Sequence, residues 1–137
     1  MKTSIKVLAL IFCFVFAFSA TADAEIKTIE ADGVHVMSND ESPAEAKERA
    51  HEEAIRYAGE QVSIYIQSLS EVRNGHLTQD VIRTVSMSVL QIQSIDFNVE
   101  TAEDDRLIVK CHVVASVDSE LILEKLREEI SEAADAD

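Results

Sequence analysis

Residues 42–66, SPAEAKERAHEEAIRYAGEQVSIYI, decide how this chain is read. Ser42 and Glu45 are spaced as a capping box, and Pro43 sits at the first helical position, where its missing N–H costs nothing. From there Ala46, Ala50, Ala54, Tyr57, Ala58, Gln61, Val62, Tyr65 and Leu69 recur at steps of three and four, which predicts an amphipathic helix to about Ile66. The first half of that face is alanine, so another element can approach the backbone closely. Glu48, Glu52, Arg56 and Glu60 fall on the opposite side, with Glu52 and Arg56 spaced as a favourable i,i+4 pair. Gly59 is expected to face solvent.

The same stretch raises an enzymatic possibility. His51-Glu52 begins like the zinc-protease signature H-E-x-x-H, which needs a second imidazole one turn on to reach the same metal. Position 55 is Ile55, so the signature fails and His51 reads as a residue at the edge of the buried face. Cys111 and His112 are neighbours on a predicted strand and point to opposite faces, so they cannot act together. His35 and His76 are isolated in sequence. The acidic runs Asn39–Glu41 and Glu103–Asp105 lack the spaced oxygen ligands of a calcium loop and read as charged turns. With three glycines there is no Gly-rich phosphate loop, and no G-x-S-x-G elbow occurs. Tyr57 and Tyr65, two turns apart, read as core. Neither a catalytic residue nor a metal ligand is assigned, and no cofactor is expected.

Around the helix lie strands. Residues 25–37, EIKTIEADGVHVM, are strand-like, with Ile26, Thr28, Val34 and Val36 sharing one parity and Asp32-Gly33 predicting a bulge. Beyond a turn at Asn74-Gly75, Leu77 to about Val89 reads as a second helix. From about Leu90 the period becomes two: Ile95, Phe97 and Val99 alternate with Asp96, Asn98 and Glu100, as in a half-buried strand. Leu107, Val109, Cys111, Val113, Ala115 and Val117 predict a return strand across a Glu103–Arg106 turn. Asp118 or Ser119 caps a last helix striped by Ile122, Leu123, Leu126 and Ile130, and the acidic end is expected to fray. The fold class is α+β, in the order β-α-α-β-β-α, with a three-stranded antiparallel sheet and helices on one face.

The first residues read as a targeting segment. Lys2 and Lys6 precede an apolar run from Val7 to Phe18, and Ala22-Asp23-Ala24 fits an A-x-A site, so residues 1–24 are expected to be a cleaved signal peptide, with cleavage after Ala22 the near alternative. Residues 25–130 would form a single domain and 131–137 an acidic tail. The formal net charge is −14. Such a chain repels phosphate backbones and anionic lipid, so nucleic acid is not an expected partner and no stable membrane anchor is expected after cleavage. Beyond the signal segment Cys111 stands alone, and in an oxidising compartment it is either buried or paired with another chain.

The helix AEAKERAHEEAIRYAGEQVSIYI, followed by SEV, LTQDVI and a β-hairpin, resembles a small exported bacterial domain. That domain occurs in the LPP family of small surface lipoproteins and at the N-terminus of the flagellar assembly protein T. Ala46, Ala50, Ala54, Ile55, Ala58, Gln61, Tyr65, Glu71, Val72, Leu77, Asp80 and Ile82 carry the resemblance. The chain departs at Ser63, where the family usually has glycine, and it lacks the lipidated cysteine of the lipoproteins. The resemblance implies a β-α-α-β-β fold, a cell-envelope location and no catalytic residues.

The resulting expectation is an exported, periplasmic or extracellular, non-enzymatic bacterial protein that serves as an interaction or assembly module. Its partner would be an envelope protein or a second copy. Sheet edges invite strand addition, and the predicted surface is the first strand, with Lys27, Ile29, Val34, His35 and Val36. The alternative expectation is a small-ligand or cation-binding protein with a pocket between helices and sheet.

Overall fold

The computed structural model describes residues 24–71 and 77–136. The expected signal segment up to Asp23, the Asn74-Gly75 turn, His76 and the final Asp137 lie outside the described residues. Strand β1 (Ile26–Val36) leads to helix α1 (Pro43–Glu71), helix α2 (Gln79–Val89), strands β2 (Gln91–Thr101) and β3 (Leu107–Asp118) and helix α3 (Ser119–Asp135). The order β-α-α-β-β-α is the predicted one. All pairing is antiparallel, and β3 lies in the middle of a β1-β3-β2 sheet.

The helix starts behave as their sequences require. Ser42 N–H donates to Glu45 Oε2 at 2.8 Å and Glu45 N–H donates back to Ser42 Oγ at 3.3 Å, closing the capping box. These bonds to Ser42, from its backbone first and then its side chain, hold the Glu45 carboxyl below its ordinary range. Of the two caps offered for the last helix, Asp118 is the one used: it accepts from Glu120 N–H at 2.8 Å. Helix α2 starts two residues later than predicted, because Thr78 Oγ1 accepts from Val81 N–H at 3.3 Å. Helix α1 runs on to Glu71 rather than stopping near Ile66, since Leu69 still packs on the core.

The core forms where the alanine face of α1 lies on β1 and β3. Ala46, Ala50, Ala54, Ala58, Val62 and Ile66 are all buried against Ile29 and Ala31 of β1 and Val109, Cys111, Val113, Ala115 and Val117 of β3. The approach is closest at Gly33. A Cβ there would lie 1.9 Å from the Ala50 carbonyl oxygen and 2.5 Å from Ala54 N, both backbone atoms. The predicted bulge at Asp32-Gly33 is therefore absent. β1 pairs with β3 in unbroken register from Ile26 to Val36, with Gly33 opposite Cys111. The glycine admits the helix. The sheet's bulge is in β2 instead, between Ile92 and Ser94.

The two parities of β1 divide between the faces of the sheet. Ile26, Thr28, Val34 and Val36 face away from the helix and are exposed, while Ile29, Ala31 and Gly33 face it. Gly59 is buried rather than solvent-facing: it lies against α2, where an added Cβ would meet Met87 Sδ at 2.6 Å. Tyr57 is exposed, not core. Its hydroxyl donates to Glu53 at 3.3 Å and Arg56 lies 4.3 Å from its ring centre. Arg56 pairs with Glu60 at 2.8 Å and Glu53 at 3.7 Å, not with Glu52. Tyr65 packs on the core with Lys27 Nζ 4.4 Å from its ring centre.

Candidate functional site

Among the described residues, His35, His51, Cys111 and His112 sit in separate surroundings. His35 Nε2 lies 2.7 Å from Glu41 Oε2, and Arg49 Nε lies 3.0 Å from the other carboxylate oxygen. The hydrogen bond from His35 is the first cause of Glu41's lowered pKa, reinforced by Ser38 N–H. This cluster ties the end of β1 to the start of α1. On the open face of the sheet His112 Nδ1 lies 2.7 Å from Asp32 Oδ1, one strand away, and that bond raises the His112 pKa. Cys111 is fully buried on the opposite face, and burial pushes its thiol pKa up. His51 is half-buried beside α2, its Nε2 sealed from solvent with no hydrogen-bond partner among the described residues. Among the described residues no group of three or more His, Cys, Asp or Glu could hold a metal ion.

A groove of about 870 Å³ runs between α1 and α2, lined by His51, Ile55, Gly59, Ser63 and Met87 among others. Two of its polar groups are engaged within and between the helices. Arg56 pairs along α1, and the buried Ser86 hydroxyl donates to the Ile82 carbonyl at 2.6 Å while lying 2.8 Å from Ser63 Oγ.

The sheet edges differ. On β1, the predicted surface, Ile29 is buried in the core and Lys27 lies under Tyr65. His35 is held by Glu41, and Val34 and Val36 are exposed. Side chains of α1 reach over this edge: Gln61 Nε2 donates to the Glu30 carbonyl at 2.7 Å, and Val34 N–H donates to Glu53 Oε2 at 3.1 Å.

Among the described residues β2 has no such cover. Every one of its 11 residues is exposed. Ile95, Phe97 and Val99 stand opposite buried Val113, Cys111 and Val109, so they occupy the helix-bearing face of the sheet. Yet they remain 41%, 42% and 47% exposed. A helix about 10 Å across covers roughly two strands spaced near 4.8 Å, and α1 covers β1 and β3. Lys47 of α1 reaches toward β2, its Nζ 5.7 Å from the Phe97 ring centre. Ile95, Phe97 and Val99 thus form an apolar strip along an open edge. Their alternation in sequence is that of a half-buried strand, and the one available signal was that a single long helix cannot roof three strands.

The family model described as flagellar assembly protein T, N-terminal domain, matches residues 27–114, from β1 into β3. No curated protein and no solved structure matches the chain.

Proposed function

The chain belongs to the family of the flagellar assembly protein T N-terminal domain, and from that premise we propose that it is a non-enzymatic assembly module of the bacterial cell envelope, acting in building the flagellum. The observation that supports this reading most directly is the uncovered β2 edge. An 11-residue strand with three apolar side chains on the roofed face of the sheet resembles a core left open for another chain. The β1 edge, with Lys27, Ile29, Val34, His35 and Val36, is the secondary surface, because α1 already occupies part of its backbone. The separated histidines and the buried thiol support a non-enzymatic role. No helix among the described residues is long and apolar enough to cross a membrane, which suits a protein released from its signal segment into the periplasm.

Deletion of the gene in the source bacterium tests the reading. Flagella counted by electron microscopy should fall and motility should drop. Wild-type protein should restore both, and a Phe97→Lys variant should restore less. Normal flagella in the deletion strain would remove the flagellar role.

A further inference from the structure

We propose that β2 pairs antiparallel with β2 of a second copy about a two-fold axis at Phe97, joining two sheets into one of six strands. This deepens the assembly reading and rests on it. The edge is chosen by what covers the other one. Glu53 and Gln61 of α1 occupy outward backbone groups of β1, whereas no helix side chain bonds the outer backbone of β2 among the described residues.

The register follows from three constraints. The bulge between Ile92 and Ser94 and the strand end at Thr101 confine regular pairing to residues 94–101. Side chains must keep their faces, so odd residues oppose odd and even oppose even. Carboxylates must not stand directly opposite each other, since like charges across a ladder destabilise it. With Phe97 opposite the partner's Phe97, Ile95 faces the partner's Val99 and the apolar strips overlap fully. Asp96 then faces the partner's Asn98, and Glu100 faces the partner's Ser94, each an acceptor against a hydrogen-bond donor. Moving the centre one residue to Asp96 puts that residue against the partner's Asp96. Moving it to Asn98 sets Asp96 against the partner's Glu100. Only the Phe97 centre satisfies all three constraints without losing apolar overlap.

The net charge of −14 opposes self-association at long range. At about 0.15 M salt exposed charges are screened beyond roughly 8 Å, so the dimer should tighten as salt is added. A basic partner on the same edge would bind less tightly under the same change.

Sedimentation equilibrium of the purified chain, from micromolar to submillimolar concentration, reads the association. Cysteine placed singly at Ile95, Asp96, Phe97, Asn98 or Val99 and mildly oxidised reads the register. Opposed residues in an antiparallel pair have Cα atoms about 4.5–5.5 Å apart, within disulfide reach, and diagonal ones lie roughly 7–8 Å apart. The disulfide dimer should therefore peak at Phe97→Cys, and buried Cys111 should stay out of the reaction. Asn98→Asp should weaken the dimer and Asn98→Lys tighten it, each by roughly two- to tenfold, because each change acts twice across the axis. Thr28→Lys on β1 makes the same charge change away from the interface and should do less. A monomer at every concentration, a scan that peaks elsewhere, or equal effects of Asn98→Lys and Thr28→Lys would overturn the proposal. A monomer whose deletion strain still loses flagella would leave the assembly reading standing. A Phe97-centred dimer from a strain with normal flagella would sink that reading and keep the dimer.

Discussion

The two outer strands, β1 and β2, are each 11 residues long and each pair antiparallel with β3, but α1 treats them differently. Against β1 the helix descends until backbone meets backbone. Ala50 and Ala54 lie over Gly33, and Glu53 and Gln61 bond the strand's outer edge. Over β2 no helix lies among the described residues, and Ile95, Phe97 and Val99 keep over two-fifths of their surface in water. The difference teaches that a helix set low over small residues packs tightly where it lies and leaves the far strand bare. Leucines in place of the alanines would hold the helix higher and let longer side chains spread toward β2.

The sharpest way to break the comparison is Gly33→Ala. The new Cβ would fall inside contact distance of two backbone atoms that cannot rotate away. Destabilisation of about 3 kcal/mol or more is expected in urea denaturation, a large share of a typical domain's stability. A matched pair sharpens it next. Ile29→Ala removes a side chain only 3% exposed and should cost about 2–4 kcal/mol, whereas Ile95→Ala on β2 should cost less than about 1 kcal/mol by the same measurement. Similar costs at the two positions would mean that β2 is covered in solution.

Smaller effects probe how α1 is set on β1. Ser42→Ala opens the capping box and should lower the thermal midpoint by the equivalent of about 1 kcal/mol. The smallest effect expected is at the cross-strand pair on the open face. The bond to Asp32 raises the pKa of His112 above its usual 6.5. A raised folded-state pKa gives stability that is fully present below the unfolded value and lost as pH rises through the folded value. Asp32→Asn should shift the His112 titration, followed by NMR, to lower pH and flatten the decline in stability above neutrality. An unchanged titration would mean that the pair does not persist in water.

Much of this architecture was legible in residue order. The capping box, the alanine steps, the change to a period of two after Leu90 and the Asp118-Ser119 cap are local signals, and each element formed close to its signal. The misreadings share a cause. Ile26, Val34 and Val36 are the larger apolar residues of their parity in β1, yet that parity faces away from the helix. The true inward set, Ile29, Ala31 and Gly33, is mostly small because a helix backbone occupies the space. Gly33 read as a bulge and Gly59 as a solvent-facing weakness, and both instead admit a neighbour. Tyr57 read as core by spacing, but the alanine seam is too narrow to take it. Small residues carry no hydrophobic signal of their own, so close packing is nearly silent in a sequence.

The sequence by itself determined the kinds of element, their order, the capping box of α1 and the failure of the zinc signature at Ile55, because each rests on interactions within a few residues. Only the tertiary structure decided which parity of β1 faces the helix and which glycine lets it in. It also decided which of two equal-length edges was left bare. Those outcomes depend on how low one helix sits and how far its width reaches across three strands, distances that no local pattern encodes.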